Sequence, residues 1–205
     1  MPQKPFHLAE TASQTAGPYV HIGLAPAAAG FRAFDRDLGT RIAGTGAAAP
    51  DIRIEGRVFD GIGTVVKDTL IEVWQADPNG IYPHPDDPRA ADAAPGFCGW
   101  GRVMPDLDTG LWQIDTVRPG PVPGPRGTLQ APHLTLWIVA RGINIGLHTR
   151  LYFPEAAALL ASDPLLCLID TPARRATLIA ANPAPGQYVF DIHLQGDRET
   201  VFLDI

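Results

Sequence analysis

Basic residues are scarce. Sixteen lysines and arginines stand against 22 aspartates and glutamates, leaving a formal net charge of −6 over 205 residues. A nucleic-acid backbone requires a basic footprint, so that class of partner is not expected. Cysteine is almost absent. Cys98 and Cys167 have no CxxC spacing, which argues against a disulfide scaffold or a thiolate metal site and predicts reduced, buried thiols. Long apolar runs are missing as well. The opening MPQKPFHLAETASQTAGPYV has no continuous apolar stretch of the signal-peptide kind. No window approaches the roughly 20 apolar residues of a membrane span. These absences predict a soluble, cytoplasmic chain. There is no GxSxG elbow and no phosphate-binding glycine loop. Six histidines are present (His7, His21, His84, His133, His148 and His193), but none is spaced as HxH or HExxH. For each one alone, a hydrogen-bonded core or surface residue is the default.

Hydrophobic residues make up 45% of the chain and charged residues 19%, a globular balance sufficient for one domain with a real core. The 21 glycines and 21 prolines lie between short apolar runs, so many turns and few long helices are expected. Strand patterns occur at IRIEGRVF (52–59), TLIEVWQA (69–76), LWQIDTV (111–117), HLTLWIVA (133–140), QYVFDIHL (187–194) and TVFLDI (200–205), separated by turn residues such as DGIG and DPNG. PEAAALLAS (154–162) and PARRATLIAA (172–181) read as helices with proline in the first turn. The expected fold is all-β: a β-sandwich core with short helices inserted late and an extended N-terminal arm. The arm covers residues 1–50, carries few strand signals and ends in AGTGAAAP; the domain covers 51–205. A long proline- and aspartate-rich loop, 81–97, is of a length that often carries function.

The strand QAPHLTLW places His133 and Thr135 on one face, because strand side chains repeat every second residue. Two histidines there would make a metal-binding pair; the second place holds threonine. Five stretches extend this observation: SQTAGPYVHIGL (13–24), LIEVWQADPNGIY (70–82), TVRPGPVPG (116–124), QAPHLTLWIVARGINIGLHTRLYF (130–153) and ETVFLDI (199–205). In this order, and over essentially the whole chain, they resemble the intradiol ring-cleaving dioxygenases, in particular the non-catalytic α chains of their two-chain members.

The resemblance implies a hetero-oligomer that opens the ring of an aromatic dihydroxy acid with O2. Its Fe(III) is held by two tyrosines and two histidines on a homologous catalytic β chain. Phenolate ligands favour the ferric state. Matched to that pattern, the first tyrosine falls on Tyr82 and the second on Val122; the histidines fall on His133 and Thr135. An arginine three residues before the first histidine is replaced by Gln130. With one ligand of each type gone, no metal is expected in this chain, and the relic positions should have become ordinary core.

The resemblance further implies that Thr15, Gly17, Pro18, Tyr19 and Arg141 line the substrate pocket of the β chain, with the arm crossing toward it. Glycine and proline in TAGPY suit a tight turn with close backbone approach. Arg141 either favours an anionic substrate by charge or binds backbone carbonyls as a structural arginine. Two alternatives stand beside this expectation. One is a self-sufficient homo-oligomeric dioxygenase recruiting His84 or His148 as further ligands; the other is a non-enzymatic β-sandwich binding module.

Overall fold

The structure is a computed structural model that describes residues 12, 14–27, 29–35, 39, 42–43 and 49–204. His7, residues 44–48 of the glycine–alanine run and Ile205 lie outside the described residues. Two four-stranded sheets face each other. Across the first run Ala181–Ala184 (β10), Gln187–Val189 (β11), Ile52–Gly56 (β1) and Trp112–Thr116 (β5). Across the second run Trp100–Val103 (β4), Leu70–Gln75 (β3), His133–Val139 (β8) and Leu147–Tyr152 (β9). β1 pairs antiparallel with β5 but parallel with β11. Two short pairs complete the β structure: Ile192–His193 (β12) with Val58–Phe59 (β2), and Val122–Pro123 (β6) with Leu129–Gln130 (β7). The expected all-β sandwich is the observed fold.

The alternation of apolar residues explains the packing. Ile52 and Ile54 of β1 and Trp112 and Ile114 of β5 face inward against Ile71, Val73, Leu134, Leu136, Ile138 and Leu151 of the second sheet. Deep in this layer Gln75, fully buried, ties the sheets together. Its amide donates to Val117 O at 2.9 Å, and Thr116 Oγ1 donates to its carbonyl at 2.8 Å. A buried amide is tolerated there because its hydrogen-bonding groups are met.

Several elements differ from expectation. The strand expected over 52–59 divides at Arg57, and that over 187–194 divides between β11 and β12. The 200–205 segment forms only a bridge, Leu203 opposite His148, because Thr200 instead bonds back to His193. The second helix stops at Ala176 as α3 (Pro172–Ala176). Beyond it, Tyr152 N donates to Leu178 O and Ala180 N donates to Tyr152 O, which draws the chain into extended pairing. The first helix begins as a 3₁₀ turn, Pro154–Ala156, before α2 (Ala157–Ser162). Both cysteines are exposed rather than buried. Cys98 lies in the irregular segment before β4 with its Sγ on Ile42 O, and Cys167 lies in a 3₁₀ turn of helix, Leu166–Leu168, with its Sγ on Ala161 O. No helix among the described residues is long and apolar enough to cross a membrane.

The described arm residues include one short helix, α1 (Val20–Leu24), and lie against this chain's own sheet at three points. Thr15 Oγ1 accepts from Gly142 N at 2.6 Å, and Leu24 O accepts from Arg102 Nη1 at 2.7 Å. Gly39 O accepts from Arg102 N, next to Ile42, which is fully buried in the core.

Candidate functional site

The second sheet has an inner face in the core and an outer face that carries the candidate residues. Register fixes which side chains meet on that outer face: Thr135 of β8 stands between Trp74 of β3 and Arg150 of β9. One pleat along, His133 is opposite Tyr152. Directly opposite residues in antiparallel strands have Cβ atoms about 5 Å apart, so these side chains touch without any loop having to bring them together.

Tyr82 reaches the same face from the turn after β3. Asp77, fully buried, organises that turn: its carboxylate accepts from Asn79, Ile81 and Ala94 N–H groups, each at 2.9 Å. Gly80 has φ +73°, and a Cβ there would meet Pro121 O at 2.0 Å, so glycine is required where the turn presses on the RPGP segment. That contact sets Tyr82 and Val122 on one pocket. Asp87 accepts from Tyr82 N at 3.1 Å; its side-chain bonds from Arg89 hold its carboxyl down to about 2. The Tyr82 ring stacks on Trp74 with centroids 5.7 Å apart.

The result is a pocket of about 440 Å³ whose lining includes Trp74, Tyr82, His84, Val122 and Gln130 and, as charged groups, Asp86, Asp87 and Arg89, the last two paired with each other. Tyr82 is half-buried, and burial raises its phenol. His133 is 3% exposed. Its Nδ1–H donates to Ala131 O at 2.7 Å, and burial followed by the nearby Arg150 charge lowers the imidazole to about 4. Of the relic positions, Val122 and His133 are buried, whereas Tyr82 and Thr135 are half-buried. The Asp77-centred turn and the β6–β7 pair hold the walls apart.

Behind Gln130 lies a polar cluster that the strand patterns did not reveal, because β9 was not among the expected strands. Arg150 Nη1 donates to Gln130 Oε1 at 2.7 Å and to the Tyr152 hydroxyl at 3.2 Å. Tyr152 donates in turn to Asp163, which is fully buried and also accepts from the Ala131, Leu165 and Leu166 N–H groups. The alternation in LHTRLY, with a charged residue between Thr149 and Leu151, was the available signal.

The other expected residues gather elsewhere. Thr15 meets the turn after β8 at Gly142, beside Arg141, and Arg141 pairs with Asp68 at 3.0 Å. This cluster lies at the far end of β8 from His133, six residue steps of about 3.3 Å and hence roughly 20 Å away. Tyr19 is 74% exposed. A Cβ placed on Gly17 would meet nothing within 4 Å, and its φ is not left-handed, so nothing among the described residues demands glycine there. His84 accepts at Nδ1 from Asp86 N and meets the edge of Trp74. His148 lies opposite Trp137, away from Tyr82. The described residues include no cluster of three or more metal-ligating His, Cys, Asp or Glu groups.

A dioxygenase family model matches residues 25–196. The chain belongs to the intradiol dioxygenase family. It is 46% identical to the protocatechuate 3,4-dioxygenase alpha chain of Pseudomonas putida over 200 residues, covering 96% of this chain and 97% of that one. It is also 38% identical to the beta chain of the Burkholderia cepacia enzyme over 116 residues, covering 56% of this chain and 48% of that one. In fold it is similar to hydroxyquinol 1,2-dioxygenase from Pseudomonas putida, with a TM-score of 0.53 at 20% identity, covering 91% of this chain and 67% of that one. Against the family's two-tyrosine, two-histidine iron pattern, the residues here do not fit a ferric ion. Of the four pattern positions, Tyr82 and Val122 line the pocket, His133 is buried in β8, and Thr135 stands opposite the Arg150 guanidinium; valine offers no donor and threonine only a weak one.

Proposed function

We propose that this chain is the α subunit, without iron of its own, of a protocatechuate 3,4-dioxygenase. Its homologous β chain carries the Fe(III) and opens 3,4-dihydroxybenzoate between the hydroxyl-bearing carbons with O2, giving 3-carboxy-cis,cis-muconate. The similarity to α chains over nearly the full length carries this reading. The loss of half the donor set accounts for why catalysis would pass to the partner. Expressed alone, the full chain should bind no stoichiometric iron and cleave no ring. Co-expressed with a β chain, it should co-purify as an αβ assembly whose activity requires both. Stoichiometric iron with a reddish tyrosinate charge-transfer colour in the lone chain would overturn the reading.

Within that assembly residues 1–50 act as an arm on the partner, and residues 51–205 form the sandwich domain. Thr15, Gly17, Pro18, Tyr19 and Arg141 form a wall of the β-chain pocket. The supporting observations are the Thr15–Gly142 hydrogen bond, which joins TAGPY to the Arg141 turn, and the exposure of Tyr19. Gly17→Val separates this role from a structural one. With open space around position 17, the isolated chain should keep its stability to within about 0.5 kcal/mol. The assembled enzyme should lose about tenfold or more in kcat/KM, because a crowded pocket wall displaces the substrate. Unchanged kinetics would remove Gly17 from the pocket.

A further inference from the structure

Loss of two ligands explains why a metal would bind weakly, but it does not explain the charge now present. A buried or half-buried guanidinium is costly to desolvate and is retained where something compensates it. Here the compensation is the side-chain carbonyl of Gln130, which lines the pocket, and the Tyr152–Asp163 pair behind it. Arg150 is the cross-strand neighbour of Thr135, one of the two vacated ligand positions. Its field reaches the phenol of Tyr82 and the imidazole of His133, the two donors that remain. Its Nε is buried and has no hydrogen-bond partner among the described residues, so the group is held by location rather than by full satisfaction. The carbonyl of Gln130, where the family pattern has arginine, accepts from it.

We infer that Arg150 is a resident cation standing in for the charge of a ferric ion, so that this pocket repels metal as well as lacking ligands for it. A trivalent ion would have to enter beside a fixed unit charge in a partly desolvated cavity, where Coulomb repulsion is far stronger than in water. Restoring the missing donors alone would then fail. This role belongs to the chain's own pocket and stands whether or not the β-chain partnership holds.

The test compares full-length chains carrying Val122→Tyr and Thr135→His with Arg150 retained, with Arg150→Lys added, or with Arg150→Gln added. Each is titrated with ferric citrate, and bound iron per chain and the visible tyrosinate charge-transfer band are read. The Gln set should bind iron on the order of a hundredfold more tightly than the Arg and Lys sets. Equal affinity across the three sets would overturn the inference, and so would a Gln set that takes up no iron. Since three changes in one pocket can compromise folding, Arg150→Gln alone is measured in parallel. It keeps a donor on position 150 and should raise ferric uptake at millimolar loading at least tenfold over the unaltered chain, without any increase in Arg150→Lys. An unaltered uptake in that single variant would overturn the inference as well.

Discussion

Asp163→Ala is expected to lower the free energy of unfolding by about 4 kcal/mol and the melting temperature by roughly 12 °C. The carboxylate has no exposure and serves four donors: the Ala131, Leu165 and Leu166 N–H groups and the Tyr152 hydroxyl. Alanine would leave all four facing a small cavity, and a buried donor without a partner costs about 1–3 kcal/mol before relaxation and water entry recover part of the loss. The same carboxylate offsets Arg150 through Tyr152, so its removal also strands a cation. Urea or thermal denaturation of the variant measures the effect. A loss under about 1 kcal/mol would mean that Asp163 is not the hub its four hydrogen bonds describe. Asp163→Asn should fall between the two, since an amide keeps one acceptor but turns a donor toward donors.

The second large effect is a pH dependence. His133 has its folded value lowered from 6.5 to about 4, first by burial and then by Arg150. In the unfolded chain it protonates near 6.5. Between pH 6.5 and about 4 the unfolded state therefore binds the proton that the folded state refuses. Stability attributable to this residue is full above pH 6.5, declines through that window, and levels off below about 4, a total of about 3 kcal/mol. His193 is also lowered by burial and contributes in the same direction, so the comparison that isolates His133 is with His133→Gln, whose amide can still donate to Ala131 O. The wild-type chain should lose stability from pH 6.5 to 4 more steeply than the variant. Parallel curves, or an NMR titration placing the native imidazole near 6.5, would contradict the expectation.

The sandwich was legible because the strongest strands keep an apolar residue at every second position. IRIEG, LIEVWQ, WQIDT and HLTLWIV each present one apolar face, and that face is the core. β9 was not, because a threonine interrupts the apolar inner face formed by Leu147 and Leu151 and so weakens an otherwise regular alternation. The short β6, β7 and β10 carry proline or only two residues, too little for a pattern. At the site, Tyr82 and Val122 line one pocket, and the strand period puts His133 and Thr135 together on the outer face of β8. What the sequence concealed was the third dimension of that face. Arg150 comes from the adjacent strand, and nothing local to residue 135 announces its neighbour. The cysteines show the same limitation of composition: a thiol is on average a buried group, yet Cys98 and Cys167 are exposed.

The three points at which residues 15, 24 and 39 are fastened to this chain's own strands bear on how an assembly would form. Residues already fastened in this way bring little ordering entropy to an encounter. Association with a partner should then resemble rigid docking, with a heat-capacity change that tracks the contact area alone rather than the larger value seen when a strand or tail folds on arrival.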